Sequence, residues 1–222
     1  MSPPAARGRG RRVVLWRHGR TAWNSENRFQ GHLDVELDPV GLDQAERSAR
    51  LLASLPPAAI LSSDLVRAAD TAAALSRWTG LEVLHDPDLR ETYGGSWEGH
   101  LGREIQEMDG PRYRAWRAGE DVAPGGDGET RSQVAERAVA AIRRGLEVLD
   151  PGGILVVVTH GGTARASIGT LLALPVEHWD VLGGLANAAW SVLEERADGG
   201  WRLAEHNAGT LPEPVVGEDA QG

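Results

Sequence analysis

The sequence predicts an α/β fold: a three-layer α/β/α sandwich around a mostly parallel central sheet. Three observations predict it. Short apolar runs alternate with longer stretches whose apolar residues recur at helical spacing. The run Ile154-Leu155-Val156-Val157-Val158 is continuously apolar, as a strand covered on both faces must be. Two strand ends carry the same dipeptide, His18-Gly19 and His160-Gly161, and each is followed by helix-forming sequence. With 222 residues, 41% of them hydrophobic, the chain suffices for one domain with a sizeable core.

Val13–Trp16 reads as the first strand. Pro39-Val40-Gly41 opens a helix that runs to about Ser54, with Leu42, Ala45, Ala49 and Leu52 at helical spacing, and Pro56-Pro57 stops it. Ala59–Ser62 is a second strand. Leu65 to Trp78 is an Ala-rich helix with Gly80 placed as its C-terminal cap. Leu81–His85 is a third strand. A loop over 86–100 carries Glu91, Gly94, Gly95, Trp97 and Gly99. One or two short helices occupy Arg103 to Ala118, and Pro124–Gly128 is a flexible connection. A long helix follows from Thr130 to Leu149, with Thr130 and Gln133 forming a capping box. Gly153–Thr159 is the strongest strand. A helix over Thr163 to Leu172 comes next, and another starts at Pro175 and continues through Trp179. Ala189 to Glu195 and Trp201 to His206 close the chain as a hairpin across Asp198-Gly199-Gly200. Residues 1–12 read as a flexible leader, 13–210 as a single domain, and the Pro-, Gly- and acid-rich 211–222 as a disordered tail.

Composition excludes several chemistries. There is no cysteine, so thiolate catalysis, cysteine zinc sites and disulfides are impossible. All 23 basic residues are arginine, which removes Schiff-base lysines and the lysine of a Walker A loop. The net charge of −9 argues against a general nucleic-acid binder. No stretch has the length of a membrane span. These features fit a cytoplasmic protein without nucleic-acid or membrane partners.

The candidate chemistry gathers at strand ends. Arg17-His18-Gly19 delivers a cation and an imidazole to the sheet edge where α/β proteins hold ligands, and Gly19 lets a phosphate approach the backbone. His160 belongs to the same edge. Arg67 stands in the first turn of a helix whose N-terminus already suits anions. Glu91 lies in a loop over that edge, with Glu98 close by. Asn24 is either a turn cap or a phosphate contact. No cluster has metal-ligand spacing. His32, His85, His100, His178 and His206 read as ordinary polar residues, and Trp97, Trp179, Trp190 and Trp201 as packing. Arg112, Arg114 and Arg117 read as a solvated helix face rather than a second acid-binding group at the pocket mouth.

Arg17-His18-Gly19-x-Thr21, Trp23-Asn24, Arg28-x-Gln30-Gly31, Ser62-Ser63-x-Leu65-x-Arg67-Ala68, Leu89-Arg90-Glu91 with Trp97-Glu98-Gly99, and Thr159-His160-Gly161-Gly162 occur in that order. Together these blocks resemble the histidine phosphatase superfamily, phosphoglycerate mutase branch. The resemblance implies a phosphoglycerate mutase-like fold and a metal-independent phosphomonoesterase without cofactor. His18 is then the nucleophile that becomes phosphohistidine. Arg17, Arg67 and a protonated His160 grip the phosphoryl oxygens. Glu91 protonates the leaving oxygen and then activates water. Asn24 is an accessory phosphate contact, and Gln30 and Gly31 line the entrance. One departure is Arg20, which stands where the family usually has an acidic or amide residue.

The same chemistry serves mutases and hydrolases. A mutase must shut water out under an extensive lid. Residues 100–129 are short and Gly-rich beside the insertion of cofactor-dependent mutases, which favours a hydrolase; a mutase or an α-ribazole phosphatase is the alternative. Residues 173–179, 182–190 and 201–208 resemble the glucosyl-3-phosphoglycerate phosphatases of this superfamily. That likeness implies a small phosphorylated metabolite as substrate and a homodimer, with Trp190 and Leu182–Ala189 at the pocket or the dimer contact.

Overall fold

The computed structural model describes residues 10–209. The expected tail and all but the last three residues of the expected leader lie outside them. Six strands form one sheet: β1 (Arg12–Arg17), β2 (Ala59–Ser62), β3 (Val83–His85), β4 (Ile154–Thr159), β5 (Trp190–Glu195) and β6 (Trp201–Ala208). Their order is β3-β2-β4-β1-β5-β6. The pairs β2–β3, β2–β4 and β1–β4 are parallel. Strand β5 is antiparallel to both neighbours, so it alone runs against the other five.

The six α-helices are α1 (Ala22–Glu26), α2 (Pro39–Ala53), α3 (Val66–Thr79), α4 (Gly102–Arg117), α5 (Arg131–Glu147) and α6 (Gly161–Leu171). Strand alternation sorts them into layers. Val13 and Leu15 of β1 pack with Ala138, Ile142, Ala164 and Ile168 of α5 and α6. Val14 and Trp16 pack on the other face with Ala45, Leu52, Ala68 and Leu75 of α2 and α3. The sandwich is therefore α5/α6 over the sheet over α2/α3.

Local chemistry sets the helix ends. The Asp38 side chain accepts from the Gly41 amide and Pro39 occupies the first turn of α2. Thr130 and Gln133 form the expected capping box on α5. Gly80 closes α3 in the left-handed conformation at φ 72°. Helix α4 is two helical pieces joined at Asp109, whose φ −145° and ψ 46° are non-helical, with Pro111 just beyond. It matches the expected one or two short helices.

Four expectations change. Arg12 belongs to β1 rather than to a leader, and Arg11 pairs with Glu195 at 2.8 Å, because the two neighbouring strands offer them backbone and carboxylate partners. Helix α6 begins at Gly161, before Thr163, because Glu91 caps it from another loop. The segment after Pro175 is a 3-10 helix over Val176–Val181. Helix α1 is too short for periodicity to reveal; its signature is the Thr21–Asn24 capping box. Among the described residues no helix is long and apolar enough to cross a membrane.

Leu155 is 1% exposed and sits mid-sheet under α5. Leu155→Ala should cost about 2–5 kcal/mol, read as a lower urea midpoint with the fold retained.

Candidate active site

The site forms where β1 and β4 end. Their parallel register pairs Arg17 with Thr159. The next residue on each strand is a histidine, and the His18 amide donates to the Thr159 carbonyl at 3.0 Å. The two imidazoles therefore stand side by side, 5.1 Å between ring centroids and tilted by 58°. Both are buried.

His18 Nδ1 lies 2.7 Å from its neighbour's carbonyl, Gly19 O. That carbonyl only accepts, so Nδ1 carries the proton and Nε2 presents a lone pair. Burial pushes the His18 pKa well below its ordinary value, and the Arg67 and Arg17 guanidiniums push it further down. The neutral ring with its lone pair on Nε2 is the resting state.

Arg17 and Arg67 supply the positive charge. Arg17 donates from Nη1 to the Leu185 carbonyl at 2.6 Å. Gly161 lies beside it: a Cβ there would meet the guanidinium carbon at 3.5 Å, an ordinary van der Waals contact. Arg67 is fully buried on α3 and donates from Nη2 to Gly31 O at 2.8 Å and from Nη1 to Leu33 O at 2.9 Å. Burial brings its pKa down to about 10, still charged at neutral pH.

His160 stands behind His18. Arg67 Nε donates to its Nδ1 at 3.2 Å, which leaves Nε2 to donate to Ser63 Oγ at 2.9 Å. Burial, then Arg67, then His18 drive its pKa well below the ordinary histidine value. The expected protonated His160 is thus corrected to a neutral ring whose nitrogens already hold protein partners.

The Glu91 carboxylate is fixed at the N-terminus of α6. It accepts from the amides of Gly162 and Thr163, both at 3.1 Å, from Thr163 Oγ1 at 3.2 Å and from the Thr92 amide at 2.9 Å. Its loop is stapled by Arg137 of α5, which donates to the carbonyls of Asp88, Arg90 and Glu91 and pairs with Glu129 at 2.7 Å. His32 Nε2 adds a bond to the Glu91 carbonyl at 2.9 Å. Glu98 is structural: its Oε1 accepts from the amides of His32 and Gly94.

Arg17, His18, Asn24, Gln30, Gly31, Arg67 and Glu91 line one pocket, joined by Trp23, Arg28, Trp116, Arg131, Arg165 and Leu185. Asn24 both lines it and caps α1, accepting from the Thr21 amide at 3.0 Å and from Asn187 at 3.2 Å. Gln30 Oε1 accepts from Thr21 Oγ1 at 3.1 Å. Gly31, at φ 53°, also positions Arg67 through its carbonyl. Gly19 is a correction. Its amide donates to Thr71 Oγ1 at 3.0 Å, and a Cβ would sit 2.3 Å from Gly41 O, so it serves close backbone packing against α2. Arg20 points away and pairs with Asp38 at 2.8 Å. Among the described residues no group of three or more His, Asp or Glu side chains is spaced to hold a metal ion.

Sequence reading missed Ser63, Thr163, Arg137, Arg131, Arg165 and Trp116. A signal existed for two of them. Arg131 and Arg137 fall on the stripe of α5 that also carries buried Val134, Ala138 and Ala141, where a charge needs a reason.

The chain matches the family model described as the histidine phosphatase superfamily (branch 1) over residues 13–209. It is 41% identical over 215 residues to glucosyl-3-phosphoglycerate phosphatase of Mycobacterium tuberculosis, covering 90% of this chain and 96% of that protein. It is 36% identical over 187 residues to a metal-independent phosphoserine phosphatase of Arabidopsis thaliana, covering 83% of this chain and 76% of that protein. A solved structure of the mycobacterial phosphatase complexed with VO3 superposes with TM-score 0.85 at 40% identity, covering 90% of this chain and all of that one.

The two buried rings also set a pH dependence. Unfolded, both titrate near 6.5; folded, both stay neutral well below it. Below that value the unfolded state binds more protons, so stability falls as pH drops from about 6.5 toward the depressed values. Urea midpoints should decline on acidification from about pH 7.5 to pH 5, and decline less in His160→Gln.

Proposed function

We infer, for a chain that belongs to the histidine phosphatase superfamily (branch 1), that His18 attacks phosphorus through Nε2 and carries the phosphoryl group as a covalent intermediate. The chain is a phosphoric monoester hydrolase of phosphorylated metabolites. The observation that carries the mechanism is the His18 tautomer: Nδ1–H bonded to Gly19 O, with Nε2 bearing a lone pair among two guanidiniums.

In the first step the Nε2 lone pair forms a P–N bond as the P–O ester bond breaks. Glu91, entering this step in its acid form, gives its proton to the departing oxygen. In the second, Glu91 takes a proton from water, whose oxygen attacks phosphorus. The P–N bond breaks, its electrons return to Nε2, and inorganic phosphate leaves. Arg17 and Arg67 hold the phosphoryl oxygens throughout and offset the charge spread over them in the transition state. His160 keeps Arg67 in register through the bond to its Nε. Asn24 adds a polar contact at the phosphate, and Gln30 and Gly31 form the entrance.

Glucosyl-3-phosphoglycerate is the substrate we favour, on the strength of the mycobacterial relatives that cover nearly the whole chain. Hydrolysis rather than mutase chemistry is supported by the roof of the site, a single kinked helix, α4, and a short connection. A cytoplasmic homodimer completes the reading. It is supported by the absence of cysteine and by the likeness of residues 173–179, 182–190 and 201–208 to those phosphatases read in the sequence.

His18→Ala should abolish hydrolysis of an aryl phosphate, and acid quenching during turnover should trap phosphate label on the wild-type protein alone. Label on another residue would overturn the nucleophile. Glu91→Gln should slow turnover by about 100-fold or more with inhibition by inorganic phosphate largely kept. Rates over glucosyl-3-phosphoglycerate, 3-phosphoglycerate, α-ribazole phosphate and phosphoserine should be highest for the first, with phosphate released and not migrated. Arg137→Ala should cut kcat by about tenfold or more, since the Glu91 loop loses its staple. Little change in phosphate inhibition would mark it as a positioning residue.

A further inference from the structure

We propose that Asn207 is a positioning residue for the phosphate grip: it fixes the peptide group whose carbonyl meets the Arg17 guanidinium. The proposal rests on Arg17 as a ligand of the phosphoryl oxygens. It gives the last strand of the sheet a part in that reaction.

The peptide between Leu185 and Ala186 is held from both sides. Its carbonyl accepts from Arg17 Nη1 at 2.6 Å, and its N–H donates to Asn207 Oδ1 at 2.8 Å. The peptide is trans and planar, so its N–H and C=O point in opposite directions. Asn207 on one side therefore sets the direction of the carbonyl on the other. Each bond also polarises the peptide in favour of its opposite number. Gly184 and Leu185 line the pocket, and the chain enters them through Gly183. Two successive glycines leave the backbone free to turn, so the direction of this peptide needs an outside hold.

A β-bulge supplies that hold. Strands β5 and β6 pair Trp190 with Ala208 and Val192 with Glu205, so Ser191 faces two residues, His206 and Asn207. In a regular strand consecutive side chains leave on opposite faces. Here both turn to one segment: Asn207 to Ala186, and His206 Nε2 to the Gly183 carbonyl at 2.9 Å. That carbonyl only accepts, so His206 Nε2 carries the proton and Nδ1 accepts from Ser191 Oγ at 2.9 Å. The Asn207 amide donates to the same hydroxyl oxygen at 3.4 Å. Asn207 itself has φ 52°, a left-handed backbone that asparagine tolerates better than most side chains.

The other end of the segment is tied to the end of β1. Asn187 Nδ2 and the Ala188 amide both donate to the His18 carbonyl, at 3.2 and 3.1 Å. The Ala189 carbonyl accepts from the Arg17 amide at 3.0 Å. Residues 183–189 thus join the β6 bulge to the Arg17-His18 pair. Asn207 is not among the residues that line the pocket, so its effect on phosphate passes through this segment.

Binding of inorganic phosphate, followed by calorimetry or protein NMR, tests the role. Asn207→Gly keeps a residue suited to φ 52° and removes the acceptor. It should raise the phosphate Kd by roughly 3- to 10-fold, with kcat/KM on an aryl phosphate falling in parallel. Asn207→Asp keeps an acceptor oxygen and should stay near wild type. In an Arg17→Gln background Asn207→Gly should have almost no further effect, because the group it positions is gone. A merely structural asparagine gives another pattern: a lower urea midpoint with the Kd unchanged, or the same fold-loss with and without Arg17. Either result overturns the proposal, as does Asn207→Asp binding as weakly as Asn207→Gly. Arg17→Gln by itself separates the positioning role from the grip it serves. Weaker phosphate binding in Arg17→Gln but not in Asn207→Gly would sink the positioning role alone. Unchanged binding in Arg17→Gln would sink the grip, and the positioning role with it.

Discussion

The parallel register of β1 against β4 is the constraint on which the rest depends. Because Arg17 pairs with Thr159, the histidines that follow them leave the sheet as neighbours. The register is held by the core rather than by the site. Val13 and Leu15 must face α5 and α6 while Val14 and Trp16 face α2 and α3. A slip of one residue would turn every side chain to the wrong layer. The geometry of the imidazole pair is thus inherited from the packing of the sheet, and hydrophobic burial positions a polar site.

Electrostatics then turns that geometry into chemistry. Two guanidiniums are buried beside two imidazoles, an arrangement that is costly unless every charge finds a partner. Backbone carbonyls provide the partners: Leu185 for Arg17, and Gly31 and Leu33 for Arg67. Carbonyls satisfy the donors without cancelling the charge, so the cationic field stays available to an incoming phosphate. The same field keeps both histidines neutral. A neutral His18 with a lone pair on Nε2 and a pocket wall rich in positive charge are two consequences of one cluster.

The carboxyl group beside this cluster is brought in differently. Glu91 sits on a loop, and loops are poorly placed by their own chain. Here α6 presents its free amides to the carboxylate, and Arg137 and His32 tie down the loop's carbonyls. Glu91 in turn caps α6, which has no side-chain cap of its own. Arg17, His18 and Glu91 therefore all gather at the ends of β1 and β4 and at the helix that follows β4, while Arg67 reaches in from α3.

The chain by itself determined its strands, its main helices and the Arg-His-Gly at the end of its first strand. Those features are local: a continuous apolar run, an apolar stripe, a Thr130–Gln133 capping box, and an Arg-His-Gly at a strand end all carry their meaning within a few positions. Tertiary structure alone decided the rest. It made His160 a neutral supporting ring, because its burial and its bonds to Arg67 and Ser63 come from elements far away in sequence. It turned Gly19 into a packing contact with Gly41 and sent Arg20 outward to Asp38. It brought Arg131 and Arg165 to the wall of the pocket. A charge reads its role from what surrounds it, and those surroundings exist only once the sheet has closed between its helices.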